Sequence, residues 1–247
     1  MTLNKGPHHL LLTWLIFTGI LLFAVIVAWH EDVLAVLYAS DRSKISWAIS
    51  LLYILVTLHC AKRVYQISTE INDARIVEFL IKDNSTLKLD MQDDKVHIDG
   101  NLVLPECIVT NYIHDLINKT TSEKLHNDKN VTNTELIEVY ESQLKGPHDK
   151  GWFVSDAMIK MGLLGTIIGF IYMLGSVAHI TDFDVTTMQK ILRHMSTGMG
   201  TALYTTLAGL VCSMLATVQY HMLDSSADEL IDTTKHLTQV YVLPRLK

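Results

Sequence analysis

Four stretches of this chain are apolar at nearly every position, and the polar stretches between them are very unequal in length. A hydrocarbon core of about 30 Å takes roughly 20 mostly apolar residues per helix. His9 to Trp29, Ile45 to Cys60, Met161 to Ile180 and Met195 to Met222 each meet or approach that requirement. The second is the shortest, because "ISWAISLLYILVTLHC" includes Ser46, Ser50, Thr57 and His59. It reads as a span, with a buried or interfacial helix as the other reading, and His59 at its end reads as an interfacial residue. Residues 30 to 44 and 181 to 194 form short connections, whereas residues 61 to 150 form one large polar insertion.

Inside the insertion the period of the pattern changes. "VYQISTEINDARIVEFLI" has helical spacing at Ile67, Ile71, Ile76, Phe79 and Leu80, so the second span is expected to continue as a helix. "TLKLDMQDDKVHIDG" alternates apolar and polar residues around a polar turn, which predicts a small hairpin. "LPECIVTNYIHDLINKT" opens on Pro105, suited to a first helical turn, and repeats apolar residues at Ile108, Tyr112, Ile113 and Leu116. A polar helix from Thr134 to Leu144 is expected to end at the turn "KGPHDKG" before the third span. After the fourth span, Leu230, Leu237 and Val240 or Tyr241 share one helical face. That face suits packing on neighbouring helices or back on the same subunit.

The expected fold is thus an all-α polytopic membrane protein with long helical cytoplasmic extensions. Residues 1–60 hold spans one and two with a short periplasmic loop, and 61–150 the mainly helical cytoplasmic insertion. Residues 151–223 hold spans three and four, and 224–247 a cytoplasmic C-terminal helix.

Composition agrees: among 247 residues 49% are hydrophobic and only four are proline, too apolar for a soluble domain of this length. Lys5 precedes a run longer than a signal core, with no small-x-small site after it, so the first span reads as an uncleaved anchor. Lys62, Arg63, Lys145 and Lys150 flank the insertion and lean it towards the cytoplasm, against Arg42, Lys44, Lys190 and Arg193 on the other side. The net charge of −6 and the scattered basic residues give nucleic-acid binding no support. Cys60, Cys107 and Cys212 have no metal-ligand spacing.

The third and fourth spans carry the candidate chemistry. Gly162, Thr166, Gly169, Met173 and Ser176 fall on one helical face, and Ala202, Thr206, Gly209, Ser213 and Ala216 repeat the same offsets. Small residues let membrane helices approach until backbones touch. One reading is a tight helix pair whose threonines bond to their own carbonyls. The other is a pore-facing stripe of Gly162, Gly169, Ala202, Gly209 and Ser213, with the Thr166 and Thr206 hydroxyls solvating an ion or a partner's ionised group. Neither span contains Asp, Glu, Lys or Arg. An ion pathway ordinarily includes an ionisable residue in the membrane, so a titrating carboxylate would have to come from another chain. Asp156 and Lys160, four apart in the first turns of the third helix, suit a surface pair at the cytoplasmic mouth.

"GLLGTIIGF" at 162–170 and "ALYTTLAGLVCSMLATVQYHML" at 202–223 resemble the two cores of the MotA/TolQ/ExbB proton-channel family, in order and separation. The topology looks more like MotA and the motif wording more like ExbB and TolQ. The resemblance implies a homopentamer in the bacterial inner membrane, both termini cytoplasmic, around two copies of a single-span partner like MotB, ExbD or TolR that supplies a membrane aspartate. Thr166 and Thr206 match the threonines facing that aspartate. Two positions depart from the family: Thr201 stands where a glutamate is often found, and Leu215 where a proline often is. Thr205 is expected to face away from the seam, since adjacent helix residues point about 100° apart.

The implied function is an ion-conducting motor subunit with no cofactor, carrying H+ or else Na+ and turning ion motive force into rotation. A non-conducting scaffold, whose small stripes only pack helices, is the competing reading. An integral membrane enzyme finds no nucleophile–base or metal-ligand constellation. The load is not legible in the chain.

Overall fold

The computed structural model describes residues 9–83, 89–92, 95–98, 102–126, 133–175 and 184–246. In chain order these form α1 (His9–His30), α2 (Val33–Ser40), α3 (Ile45–Asp83), β1 (Leu89–Gln92), β2 (Lys95–Ile98), β3 (Leu102–Val103), α4 (Ile108–His126), α5 (Asn133–Gly175) and α6 (Val185–Leu237). A π-helical turn at Thr238–Val242 and a short α7 (Leu243–Leu246) follow. Four of these helices, α1, α3, α5 and α6, are long and apolar enough to cross a membrane. The chain is therefore a multi-pass membrane protein. Ser176 to Ile180, the expected end of the third span, lie outside the described residues.

The described residues divide into two compact units. One comprises Trp14–Ala61 and His148–His221, and the other lies within Met1–Thr13, Lys62–Pro147 and Met222–Lys247. In the first unit no residue of α1 is buried and most are exposed; the helix's one buried residue, Leu10, belongs to the other unit. Leu15, Ile16, Phe23 and Trp29 on α1, Leu51 and Leu58 on α3, and Leu203 and Met214 on α6 all point outward. Such exposure suits lipid as solvent.

The second unit has an ordinary apolar core. Val64, Ile67, Ile71, Ala74, Val77 and Ile81 of α3 are buried, as are Val109, Ile113 and Leu116 of α4 and Leu223, Leu230 and Leu237 of α6. Ile76 and Phe79, expected on the buried stripe of α3, are exposed instead. The stripe in fact follows Ile67, Ile71, Ala74 and Val77, and small Ala74 completes the buried face that bulky Ile76 was expected to occupy. Outside this core Lys145 bridges Glu141 (2.9 Å) and Asp228 (2.5 Å), pairing α5 with α6. The two carboxylates hold the Lys145 ammonium above its usual value.

Three local findings differ from the sequence pattern. The "KGPHDKG" segment makes no turn, because α5 runs through Pro147 without a break. Proline removes the N–H that the Gln143 carbonyl would accept, and Arg63 Nη2 donates to the neighbouring Leu144 carbonyl at 2.7 Å. Pro105 precedes α4 rather than starting it; the first N–H, from Ile108, is capped by Glu70 Oε2 of α3 at 2.9 Å. The expected hairpin is present and gains a strand: β1 pairs antiparallel with β2 (Leu89 opposite Ile98) and β2 with β3 (His97 opposite Val103).

Candidate functional site

In the membrane unit α5 and α6 come together until backbone meets backbone. A Cβ on Gly209 would lie 2.8 Å from the Met158 carbonyl and 2.9 Å from Gly162 Cα. One on Gly169 would stand 2.6 Å from the Ala202 amide nitrogen, and one on Gly198 2.9 Å from the Gly169 carbonyl. No real side chain fits at those distances. Glycine at these positions is thus what allows the contact, in a solvent where packing rather than hydrophobicity drives association.

Of the two readings of the stripe, a tight helix pair and a pore-facing surface, the contact matches the first at Gly162, Gly169, Gly209 and Ser213, which pack on the neighbouring helix of their own chain. Thr166, Ala202 and Thr206 are half-buried at the edge of that contact. Thr206 Oγ1 shares its proton between the Gly162 carbonyl across the seam (3.2 Å) and the Ala202 carbonyl of its own helix (3.1 Å). Thr166 Oγ1 donates within α5 to the Leu163 carbonyl (2.5 Å). A hydroxyl that donates inward keeps its oxygen lone pairs as acceptors. Both threonines can therefore receive a hydrogen bond from a protonated group, or ligate a cation, at the seam's edge.

Thr205 does not face away. It is fully buried, and a Cβ on Gly165 would fall 2.3 Å from its Oγ1, so Thr205 fills the hollow over Gly165. The rotation of α6 about its axis brings both threonines to the contact, one inside it and one at its rim.

Thr201, one turn before Thr205, is also fully buried. Its Oγ1 lies 2.9 Å from the Ser40 carbonyl and 3.1 Å from the Thr197 carbonyl, and accepts from the Arg42 amide (3.3 Å). The position therefore clamps the α2–α3 connection onto α6. Asp41 holds the same connection from within: Oδ1 accepts from the Ser43 amide (2.9 Å) and hydroxyl (2.6 Å), and Oδ2 from the Ser46 amide (2.7 Å). Burial raises the Asp41 pKa, but the Ser43 and Ser46 bonds outweigh it and hold the carboxyl below its ordinary value. Arg42, so placed, stands over the Tyr172 ring at 6.0 Å. Asp184 caps the start of α6 through the Val185 amide (2.7 Å) and the Thr186 hydroxyl (2.8 Å).

Further along the helices the contact turns polar. Ser155 Oγ of α5 stands 3.1 Å from Ser213 Oγ, 3.0 Å from the Ser213 carbonyl and 3.0 Å from Thr217 Oγ1. Tyr220 is fully buried over Gly151, where a Cβ would lie 1.9 Å from its ring, and its hydroxyl is 2.8 Å from His59 Nδ1 of α3. Gln219 Nε2 donates to Tyr53 Oη (3.1 Å). Asp156, by contrast, is exposed on the outer face of α5 and pairs with Lys160. Of the polar network only Ser213 and, as an interfacial residue, His59 were singled out in the sequence. Thr217 and Tyr220 continue the face of Ser213 on α6, but Ser155, His59 and Tyr53, across these bonds, come from two other helices, which no period on α6 can point to.

Comparison with known proteins adds one finding. A family model described as the MotA/TolQ/ExbB proton channel family matches residues 111–236, just over half of the chain. No curated protein and no solved structure matches.

Proposed function

Because the chain belongs to the MotA/TolQ/ExbB proton channel family, we propose that it is the ion-conducting subunit of a membrane motor. Five copies surround two copies of a single-span partner in the bacterial inner membrane, with both termini and the insertion in the cytoplasm. The observation that carries this reading is the edge of the seam. There Thr166 and Thr206 offer hydroxyl oxygens beside a backbone-to-backbone contact, in spans with no Asp, Glu, Lys or Arg. Such a surface suits a carboxylate carried by another chain.

A proton reaching the partner's aspartate neutralises it, and the neutral acid hydrogen-bonds to a threonine oxygen at small cost. The ionised form is then expensive to hold in hydrocarbon. One elementary charge moving through 100 mV supplies about 2.3 kcal/mol, enough to bias which threonine pair the partner engages. The glycines serve as structure: they hold α5 and α6 as one body against which a partner helix can turn. Asp156 and Lys160 stand near the cytoplasmic mouth and have no place on the path.

The test is composition. The complex captured from its native membrane through a tag on this chain, weighed by native mass spectrometry, should contain five copies and two of a single-span protein with an aspartate in its apolar segment. A monomer or dimer without such a protein would leave the non-conducting scaffold as the better reading.

A further inference from the structure

An exposed ion pair lies inside the membrane unit. Asp156 and Lys160 of α5 bond to each other with 58% and 71% of their side chains exposed. The contacts between α5 and α6 fix their level: Ser155 stands beside Ser213, and Gly162 beside Gly209. Tyr220, whose hydroxyl meets His59 at the end of the second span, is seven residues beyond Ser213 and eleven beyond Gly209. At 1.5 Å per residue the pair thus lies about 10–16 Å inside that end, against a half-thickness of ~15 Å for a hydrocarbon core.

The second span covers the same levels, since Arg42 meets Thr201 at one end of it and His59 meets Tyr220 at the other. There Leu51, Ile54, Leu55 and Leu58 of α3 point outward, a surface suited to lipid. Lipid therefore reaches these levels on the α3 side, while the α5 side presents two ionised groups. Such groups are costly in hydrocarbon and in membrane helices face a protein interior or a water-filled cavity. Protein is a poor cover here: the other three spans hold no Asp, Glu, Lys or Arg, so a second copy seated on the pair through them would solvate it no better than lipid. Past the pair the same face turns apolar, with Leu163, Ile167 and Phe170 at i+7, i+11 and i+14 from Asp156, all exposed. Thr166, half-buried beside this apolar run, is six residues past Lys160, about 9 Å along the helix.

We propose that the Asp156–Lys160 face of α5 borders a water-filled vestibule, open towards the His59 end of the second span and closed by Leu163, Ile167 and Phe170 short of Thr166. The pair forms its wall and does not hold the ion in transit. Its two charges cancel, so the vestibule is wetted without trapping an ion of either sign. The last ~9 Å to Thr166 is dry, and the partner's carboxylate must carry the proton across it.

This inference deepens the proposed motor function and is tested so that the two can fail separately. Inside-out membrane vesicles holding the complex are treated with a membrane-impermeant, positively charged methanethiosulfonate, and labelling is followed by the mass of the intact chain. Wild type, whose Cys60 and Cys107 are buried, is the blank. The vestibule predicts that Asp156→Cys and Lys160→Cys react about tenfold or more faster than Leu51→Cys, at the same depth on α3, and Ile167→Cys, beyond the closure, because the reagent needs a hydrated thiolate. Equal rates at all four positions overturn it. If rates are equal in a complex of five copies with two partners, the vestibule is wrong and the motor stands. If the rates differ as expected but no aspartate-bearing partner is captured, the vestibule stands and the motor is wrong. Should Asp156→Cys fail to assemble, Lys160→Cys decides alone.

Discussion

Gly209 shows how a single missing side chain can fix the distance between two helices. A methyl there meets backbone on both sides, at the Met158 carbonyl and Gly162 Cα, and backbone cannot rotate away. Gly209→Ala should therefore lower stability by about 1–3 kcal/mol, the usual cost of overpacking. Gly19→Ala on α1, where a Cβ meets nothing within 4 Å, should be neutral or gain up to about 1 kcal/mol from helix propensity. Thermal unfolding of the two variants in detergent checks the contrast, and equal losses would refute the close contact. Asp41 gives a pH dependence of known sign. Its folded pKa is lowered, so its contribution is present above the ordinary value of 3.8 and lost as pH falls through the lower folded value. Asp41→Ala should remove about 1 kcal/mol at neutral pH, as losing a helix cap does, and flatten the acid limb of the unfolding curve.

At the scale of elements, the sequence pattern conveyed the spans, the helical continuation of α3 past residue 60 and the strand pair, because each has a period that one element imposes on itself. It misplaced Thr205, Ile76 and Phe79, since which face of a helix is covered depends on its neighbours and not on its own period. Pro147 reads locally as a break, yet α5 runs through it, and Arg63, 84 positions earlier, bonds to the Leu144 carbonyl nearby. Glu70 is another such long-range partner. Burial raises its pKa against the Ile108 N–H bond, with Asp73 adding to the rise. A raised carboxyl stabilises the fold most below its unfolded value, and that contribution is lost as pH rises through the folded value. At neutral pH the buried charge thus opposes folding. Glu70→Gln keeps an acceptor for Ile108 and removes the charge, so its melting temperature should exceed wild type at pH 7 and match it near pH 4. A lower melting temperature at pH 7 would mean that the ionised cap is worth more than its burial costs.

For the whole molecule, the candidate site was partly legible because close packing and ion chemistry ask for the same small and hydroxyl residues. The stripe of Gly162, Gly169 and Gly209 was readable, and a tight helix pair was one of the two readings it allowed; that the pair leaves Thr166 and Thr206 half-buried at its edge was not. The threonines at its edge, Thr166 and Thr206, keep the acceptor oxygens on which the account depends. The measurement that tests the account most directly is proton uptake by vesicles holding the complex captured on this chain, wild type against Thr166→Val/Thr206→Val. Valine matches threonine in shape and lacks the oxygen. The account predicts that uptake falls to background while the complex keeps its composition; undiminished uptake by the double variant would contradict it.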